Sequence, residues 1–188
     1  VEQLVLCTAP SASVLGSVGL EISQNGQQYT ESGRNFTYFG PVAVLSLDPV
    51  SGPRNGDSFV NVYSVGITGG TDYRCQFGNQ LSIPASLVHN GMIACYSPPH
   101  NVSTQVVRIA ANGQQYSPVG AEFFYYESNS VLSVSPSSGS SSGGTIITLV
   151  GAHFRSFVEH PIQCKVGEQL AETVLINEST LECVIPTA

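Results

Sequence analysis

Positive charge is scarce in this sequence. Six Lys and Arg stand against thirteen Asp and Glu, for a net charge of −7, and no basic cluster is present to neutralise a phosphate backbone, which argues against nucleic acid as a partner. Long runs of Ala, Glu, Lys and Leu with helical periodicity are also missing, so nothing predicts an amphipathic helix. No apolar run reaches membrane-spanning length, so no membrane span is expected in this segment. The chain begins at Val1 with neither an initiator Met nor a charged-then-apolar leader, which predicts a processed product or a window of something longer. Charge of either sign is low, at 10% of residues, but hydrophobic residues reach 41%, and that balance excludes a disordered chain.

Turn-forming residues are plentiful instead. Nineteen Gly and eleven Pro punctuate short runs rich in Val, Ser and Thr, the pattern of an all-β protein. An internal repeat organises it. Asn25-Gly26-Gln27-Gln28-Tyr29 recurs as Asn112-Gly113-Gln114-Gln115-Tyr116, 87 residues on, and each copy is followed by an aromatic run, Phe36-Thr37-Tyr38-Phe39 and Phe123-Phe124-Tyr125-Tyr126. Cys7, Cys95 and Cys183 are spaced by 88 residues, each with a Pro three residues later. Pro49-Val50-Ser51-Gly52 recurs as Pro136-Ser137-Ser138-Gly139. The register predicts three modules of about 87 residues: the C-terminal half of one at 1–40, a complete one at 41–127 and the N-terminal part of a third at 128–188.

Alternation places seven strands in the middle module, at 42–47, 59–65, 73–77, 86–88, 92–95, 105–110 and 123–126, the number expected of a sandwich. In the first copy Val18, Leu20 and Ile22 alternate with Glu21, so the three apolar residues should face a core and Glu21 water. Val107 and Ile109 repeat that face around Arg108. Asn25-Gly26 and Asn112-Gly113 follow directly and predict hairpin turns.

Cys75 and Cys95 are 20 residues apart and Cys164 and Cys183 are 19 apart, at equivalent places in their modules. The spacing predicts two intra-module disulfides. Zinc is the rival reading, but no Cys-x-x-Cys or His-x-x-x-His spacing accompanies the cysteines, and no metal site is expected. Cys7 matches the second cysteine of a pair whose partner would lie upstream of Val1. Disulfides imply an oxidising, extracellular setting, secreted or at the cell surface. Three Asn-x-Ser/Thr sequons at Asn35, Asn101 and Asn177 predict N-linked glycans.

The third copy carries Val134-Ser135-Pro136-Ser137-Ser138-Gly139, then Gly143-Gly144-Thr145 leading to Gly151-Ala152-His153-Phe154, then Cys164-Lys165-Val166-Gly167 and Leu181-Glu182-Cys183-Val184-Ile185-Pro186. This series resembles the IPT/TIG family, immunoglobulin-like domains of plexins, growth-factor receptor ectodomains, repeat-bearing surface proteins and certain transcription factors. The middle copy departs from it at Gly56-Asp57-Ser58 and Gly66-Ile67-Thr68 but keeps the cysteine pair and aromatic last strand. The resemblance implies tandem immunoglobulin-like β-sandwiches and brings no catalytic residues.

Chemistry is otherwise thin. His89, His100, His153 and His160 scatter over different loops with no nucleophile elbow nearby. Asp48, Asp57 and Asp72 lack the dense spacing of calcium loops. No cofactor is expected, and no enzyme. Linkers of Gly40-Pro41 and Glu127–Ser130 are short, which predicts a stiff rod of modules. The leading expectation is a structural or adhesive segment of an extracellular array, the repeating unit of a surface filament, whose partners are neighbouring modules or copies of itself. The alternatives are a receptor ectodomain binding a protein ligand and an accessory module of a secreted polysaccharide-active enzyme.

Overall fold

A computed structural model describes residues 4–79, 82–158 and 160–187. The outermost predicted boundaries, Val1 and Ala188, lie outside the described residues. Among the described residues every regular element is a strand. The first stretch holds β1 (Gly16–Gly19) and β2 (Asn35–Tyr38). The middle holds β3 (Ala43–Asp48), β4 (Ser51–Pro53), β5 (Phe59–Val65), β6 (Arg74–Phe77), β7 (Ile83–Pro84), β8 (Ser86–His89), β9 (Met92–Tyr96), β10 (Ser103–Ala110) and β11 (Ala121–Tyr126). The last holds β12 (Ser130–Ser135), β13 (Ile146–Ala152), β14 (Cys164–Val166), β15 (Gln169–Asn177) and β16 (Thr180–Val184). The chain forms two compact units. The first contains residues up to Val50, Asp57–Pro98 and Thr104–Phe124; the second contains Ser51–Gly56, Pro99–Ser103 and the chain from Tyr125 onward.

Four sheets result. β1 and β2 form a two-stranded sheet; β3-β5-β9-β8 and β4-β11-β10-β6-β7 are the two sheets of the middle module; β12-β13-β16-β15-β14 form the last. The alternation of Phe59–Val65 explains the middle core. Val60 and Val62 point inward with no exposure, while Phe59, Tyr63 and Val65 on the opposite face meet solvent. Ile93 from β9, Cys75 and Phe77 from β6, and Val107, Ile109 and Phe123 from β10 and β11 are buried with them. Phe77 and Phe123 meet edge to face at 5.3 Å.

The last sheet repeats the β3-β5-β9-β8 design with its own sequence. β12, β13 and β16 pair antiparallel as β3, β5 and β9 do, and the peptide bonds Ser135-Pro136 and Asp48-Pro49, 87 residues apart, are both cis. Its small core is Phe154, Cys164, Leu181 and Cys183, with Ile147, Leu149 and Leu175 packed against it at partial exposure.

Three expectations need correction. Asn-Gly does not close a two-residue hairpin: β1 and β2 are joined by residues 20–34 and β10 and β11 by residues 111–120. Gly26 and Gly113 take positive φ, 72° and 71°, but neither asparagine does, and the hairpin turn that Asn-Gly favours needs both residues left-handed. The side chains do the turning instead. Asn25 Oδ1 accepts from the backbone N–H groups of Gln27 and Gln28, and Asn112 Oδ1 from those of Gln114 and Gln115. Next, Val18, Leu20 and Ile22 are half-exposed, while Val107 and Ile109 are sealed; among the described residues no second sheet covers β1 and β2. Finally, Glu21 is not simply solvated, since its carboxylate accepts from the backbone N–H groups of Ser32 and Gly33 and from the Thr30 hydroxyl. Two short strands, β4 and β7, also lie outside the seven expected.

Candidate functional site

The cysteines mark the centre of each module. Cys75 leaves β6 and Cys95 leaves β9, strands of opposite sheets, and the two are joined with their Cα atoms 6.6 Å apart. Cys164 on β14 and Cys183 on β16 are joined at 6.3 Å. Both separations suit a disulfide. Cys7 is exposed and has no disulfide partner among the described residues.

The sequon asparagines occupy three different settings. Asn35 opens β2 opposite Gly19 and is exposed. Asn101 sits in the exposed loop before β10, its Oδ1 accepting from Arg54 at 3.4 Å. Asn177 ends β15 at the turn into β16, where its Oδ1 accepts from both the backbone N–H and the hydroxyl of Ser179 at 2.9 Å.

The polar side chains scatter. Among the described residues no three His, Cys, Asp or Glu side chains gather as metal ligands would. Asp72 is bound to Arg74 at 3.0 Å, Asp57 sits at a turn with φ of 61°, and Asp48 ends β3. His89 Nδ1 contacts the carbonyl of Asn90, and His100 Nδ1 lies 2.9 Å from that of Asn101 and 3.2 Å from the Ser103 hydroxyl.

The second unit has ring contacts of its own. Tyr125 is wholly buried and stacks on His100 at 5.1 Å. Tyr126 packs against Phe157 at 5.3 Å, and burial pushes its hydroxyl pKa up. Beside them Arg54 binds Glu127 at 2.7 Å, and its backbone N–H donates to Tyr126 while its carbonyl accepts from His100. Phe123, Tyr125 and Tyr126 of the aromatic tetrad thus serve packing, while the neighbouring Arg54 fixes the local chain.

The most site-like features are two grooves along the last sheet. One, about 400 Å³, runs between Pro136–Ser141 and Ile147, Val166 and Ile185. The other, about 330 Å³, lies over Val131, Ile147, Leu149, Phe154 and Leu181. Both are mostly apolar, and neither presents a convergent set of acids, bases or nucleophiles. Such surfaces bind by shape and burial. Repeat register was the signal that could have located them, because it names the residues that cover the same face in the middle module.

Comparison with known proteins agrees with this geometry. Residues 130–188 match the family model described as IPT/TIG domain. Over 163 residues, 84% of the chain, the sequence is 26% identical to plexin-A2 of Homo sapiens, and spans 8% of that protein's length. Over 104 residues, 55% of the chain, it is 28% identical to calmodulin-binding transcription activator homolog 1 of Caenorhabditis elegans, and spans 9% of it. Among solved structures, the plexin A4 extracellular region superposes with a TM-score of 0.52 at 18% identity, covering 83% of this chain and 13% of that one. Residues 130–188 therefore belong to the IPT/TIG family, and the chain carries the immunoglobulin-like, all-β fold of that family.

Proposed function

We propose that this chain is a non-catalytic segment of an extracellular array of IPT-type modules, of the kind found in receptor ectodomains. The observation that carries the reading is the likeness, over most of the chain, to plexin-A2 and to the plexin A4 extracellular region. Two joined cysteine pairs and three accessible sequons support an oxidising, glycan-bearing compartment. The apolar grooves and the absence of clustered titratable groups among the described residues support binding through surfaces, with a protein ligand or neighbouring modules as partners. The modules are 1–40, 41–127 and 128–188.

A second reading, a structural unit of a surface filament, is supported by how faithfully local structure repeats: the same asparagine turn recurs 87 residues apart. One experiment addresses the shared part of both readings. Intact cells making the whole protein are treated with an impermeant protease or labelling reagent, with an epitope placed in this segment. Cleavage or labelling without permeabilisation is expected; an epitope reached only after lysis sinks the proposal.

A further inference from the structure

The middle module has both of its sheets, and the outward face of β3-β5-β9-β8 carries an aromatic surface. Phe59 and Tyr63 of β5 and Tyr96 of β9 turn away from the core and are 52%, 38% and 60% exposed. Phe59 stands opposite Tyr96, and their rings meet edge to face at 5.3 Å. Tyr63 stands opposite Met92, four residues along β5 from Phe59, a separation of about 13 Å in a strand. Between these two pairs Asn61 faces Ala94 on the same side of the sheet. Ala94 offers only a methyl, so the rings border a low floor that holds one amide.

The repeat supplies an internal control. In the last module the places of Phe59 and Tyr63, 87 residues on, hold Ile146 and Val150; those of Tyr96 and Ala94, 88 residues on, hold Val184 and Glu182. β13 and β16 pair there as β5 and β9 do, with Ile146 opposite Val184 and Thr148 opposite Glu182. The same sheet is thus built with aliphatic residues and a long acid where the middle module has rings and a methyl. The fold does not need the rings, and holding them in water opposes the hydrophobic effect.

We propose that this face binds an uncharged glycan, with one sugar ring laid against Phe59 and Tyr96, another against Tyr63, and the Asn61 amide hydrogen-bonding the hydroxyls between. The C–H groups on one side of a pyranose pack on an aromatic ring, while its hydroxyls need amides or phenols nearby; this face offers both. β3, β5, β8 and β9 contain no Lys or Arg and a single acid, Asp48, so no fixed cation meets a sulfated or uronic chain. An apolar protein surface is served as well by the aliphatic residues of the last module; a sugar ring is what distinguishes them from aromatic ones. The proposal rests on this face and not on the receptor-like reading above.

The test titrates cellohexaose, xylohexaose, mannohexaose and chitohexaose, with heparin as the charged probe, into the isotope-labelled 188-residue chain. At least one uncharged oligosaccharide should saturably shift the Asn61 side-chain amide and the Ala94 backbone amide. Phe59→Ile with Tyr63→Val and Tyr96→Val installs the residues that the last module carries at those places. This variant should keep a folded amide spectrum and bind about tenfold more weakly or worse. Ala94→Glu, which fills the floor as Glu182 does in the last module, should do the same. The proposal is overturned by the absence of a saturable shift with every uncharged sugar, by shifts that map elsewhere, by binding of heparin alone, or by unchanged affinity in the triple variant. Shifts at these residues that follow protein concentration without sugar would assign the face to a second copy and overturn it too.

Discussion

Cys75 and Cys95 join the two facing sheets of the middle module at a point where neither side chain meets solvent. Their loop spans 20 residues, so closing it removes about 3 kcal/mol of chain entropy from the unfolded state. Replacing both with Ala should lower unfolding stability by about 2–4 kcal/mol, read from urea denaturation of oxidised protein. An unchanged midpoint would show that packing alone holds the sheets.

Phe123 and Phe36 occupy the same place in the repeat and should respond differently to truncation. Phe123 is sealed against Phe77, so Phe123→Ala should cost about 3–5 kcal/mol. Phe36 is partly exposed and meets Tyr38 edge to face at 5.0 Å. Phe36→Ala should cost about 1 kcal/mol or less in dilute solution. Equal losses by differential scanning calorimetry would contradict the difference in burial.

The two repeat glycines form a matched pair. Gly26 and Gly113 share a left-handed backbone, but a Cβ on Gly26 meets open space while one on Gly113 runs into the Asp72 carboxylate. Gly26→Ala should therefore cost only the backbone term, about 1 kcal/mol. Gly113→Ala should cost more and loosen the Asp72–Arg74 pair, visible as a larger drop in Tm.

The loop after β1 should loosen in acid. Hydrogen bonds from the Ser32 backbone first, then the Thr30 hydroxyl, hold the Glu21 pKa below its ordinary value. A folded-state pKa that is depressed means the stabilisation is present above the ordinary glutamate value and is lost as pH falls through the lowered one. Amide exchange at Ser32 and Gly33 should speed up across that window, and Glu21→Gln should abolish the pH dependence. Exchange rates that follow only the intrinsic pH law would contradict it.

Secretion in a glycosylating cell should add N-linked glycan at Asn35, Asn101 and Asn177, each removed by its own Asn→Gln change. Endoglycosidase digestion followed by peptide mass mapping checks the sites one by one.

The cysteine register and the all-β class were legible in the sequence because both depend on patterns that survive divergence: a fixed spacing of cysteines and a period of two in strands such as Phe59–Val65. Burial was harder to read. Alternation says that Leu20 and Val107 share a face but not whether anything lies opposite, so one is half-exposed and the other sealed. β4 and β7 have no alternation at all. Ser51-Gly52-Pro53 and Ile83-Pro84 are strands because a neighbour offers an edge: Tyr126 accepts from Arg54, and Arg74 and Cys75 sit opposite Pro84 and Ile83. The grooves on the last sheet have no signature of acids, bases or nucleophiles, and only the repeat register points to the residues that line them.

The repeated asparagine turn also carries a slow chemistry. In Asn-Gly the glycine amide nitrogen meets little steric obstruction as it attacks the preceding carboxamide carbon; ammonia leaves, a cyclic imide closes, and water opens it to aspartate or its β-linked isomer. Asn25 and Asn112 each anchor two backbone amides through Oδ1 and a glutamine through Nδ2. The product carboxylate cannot donate that last hydrogen bond. In a protein that persists for long periods, these two turns would record its age, and the turn that opens more often would lose its ammonia first.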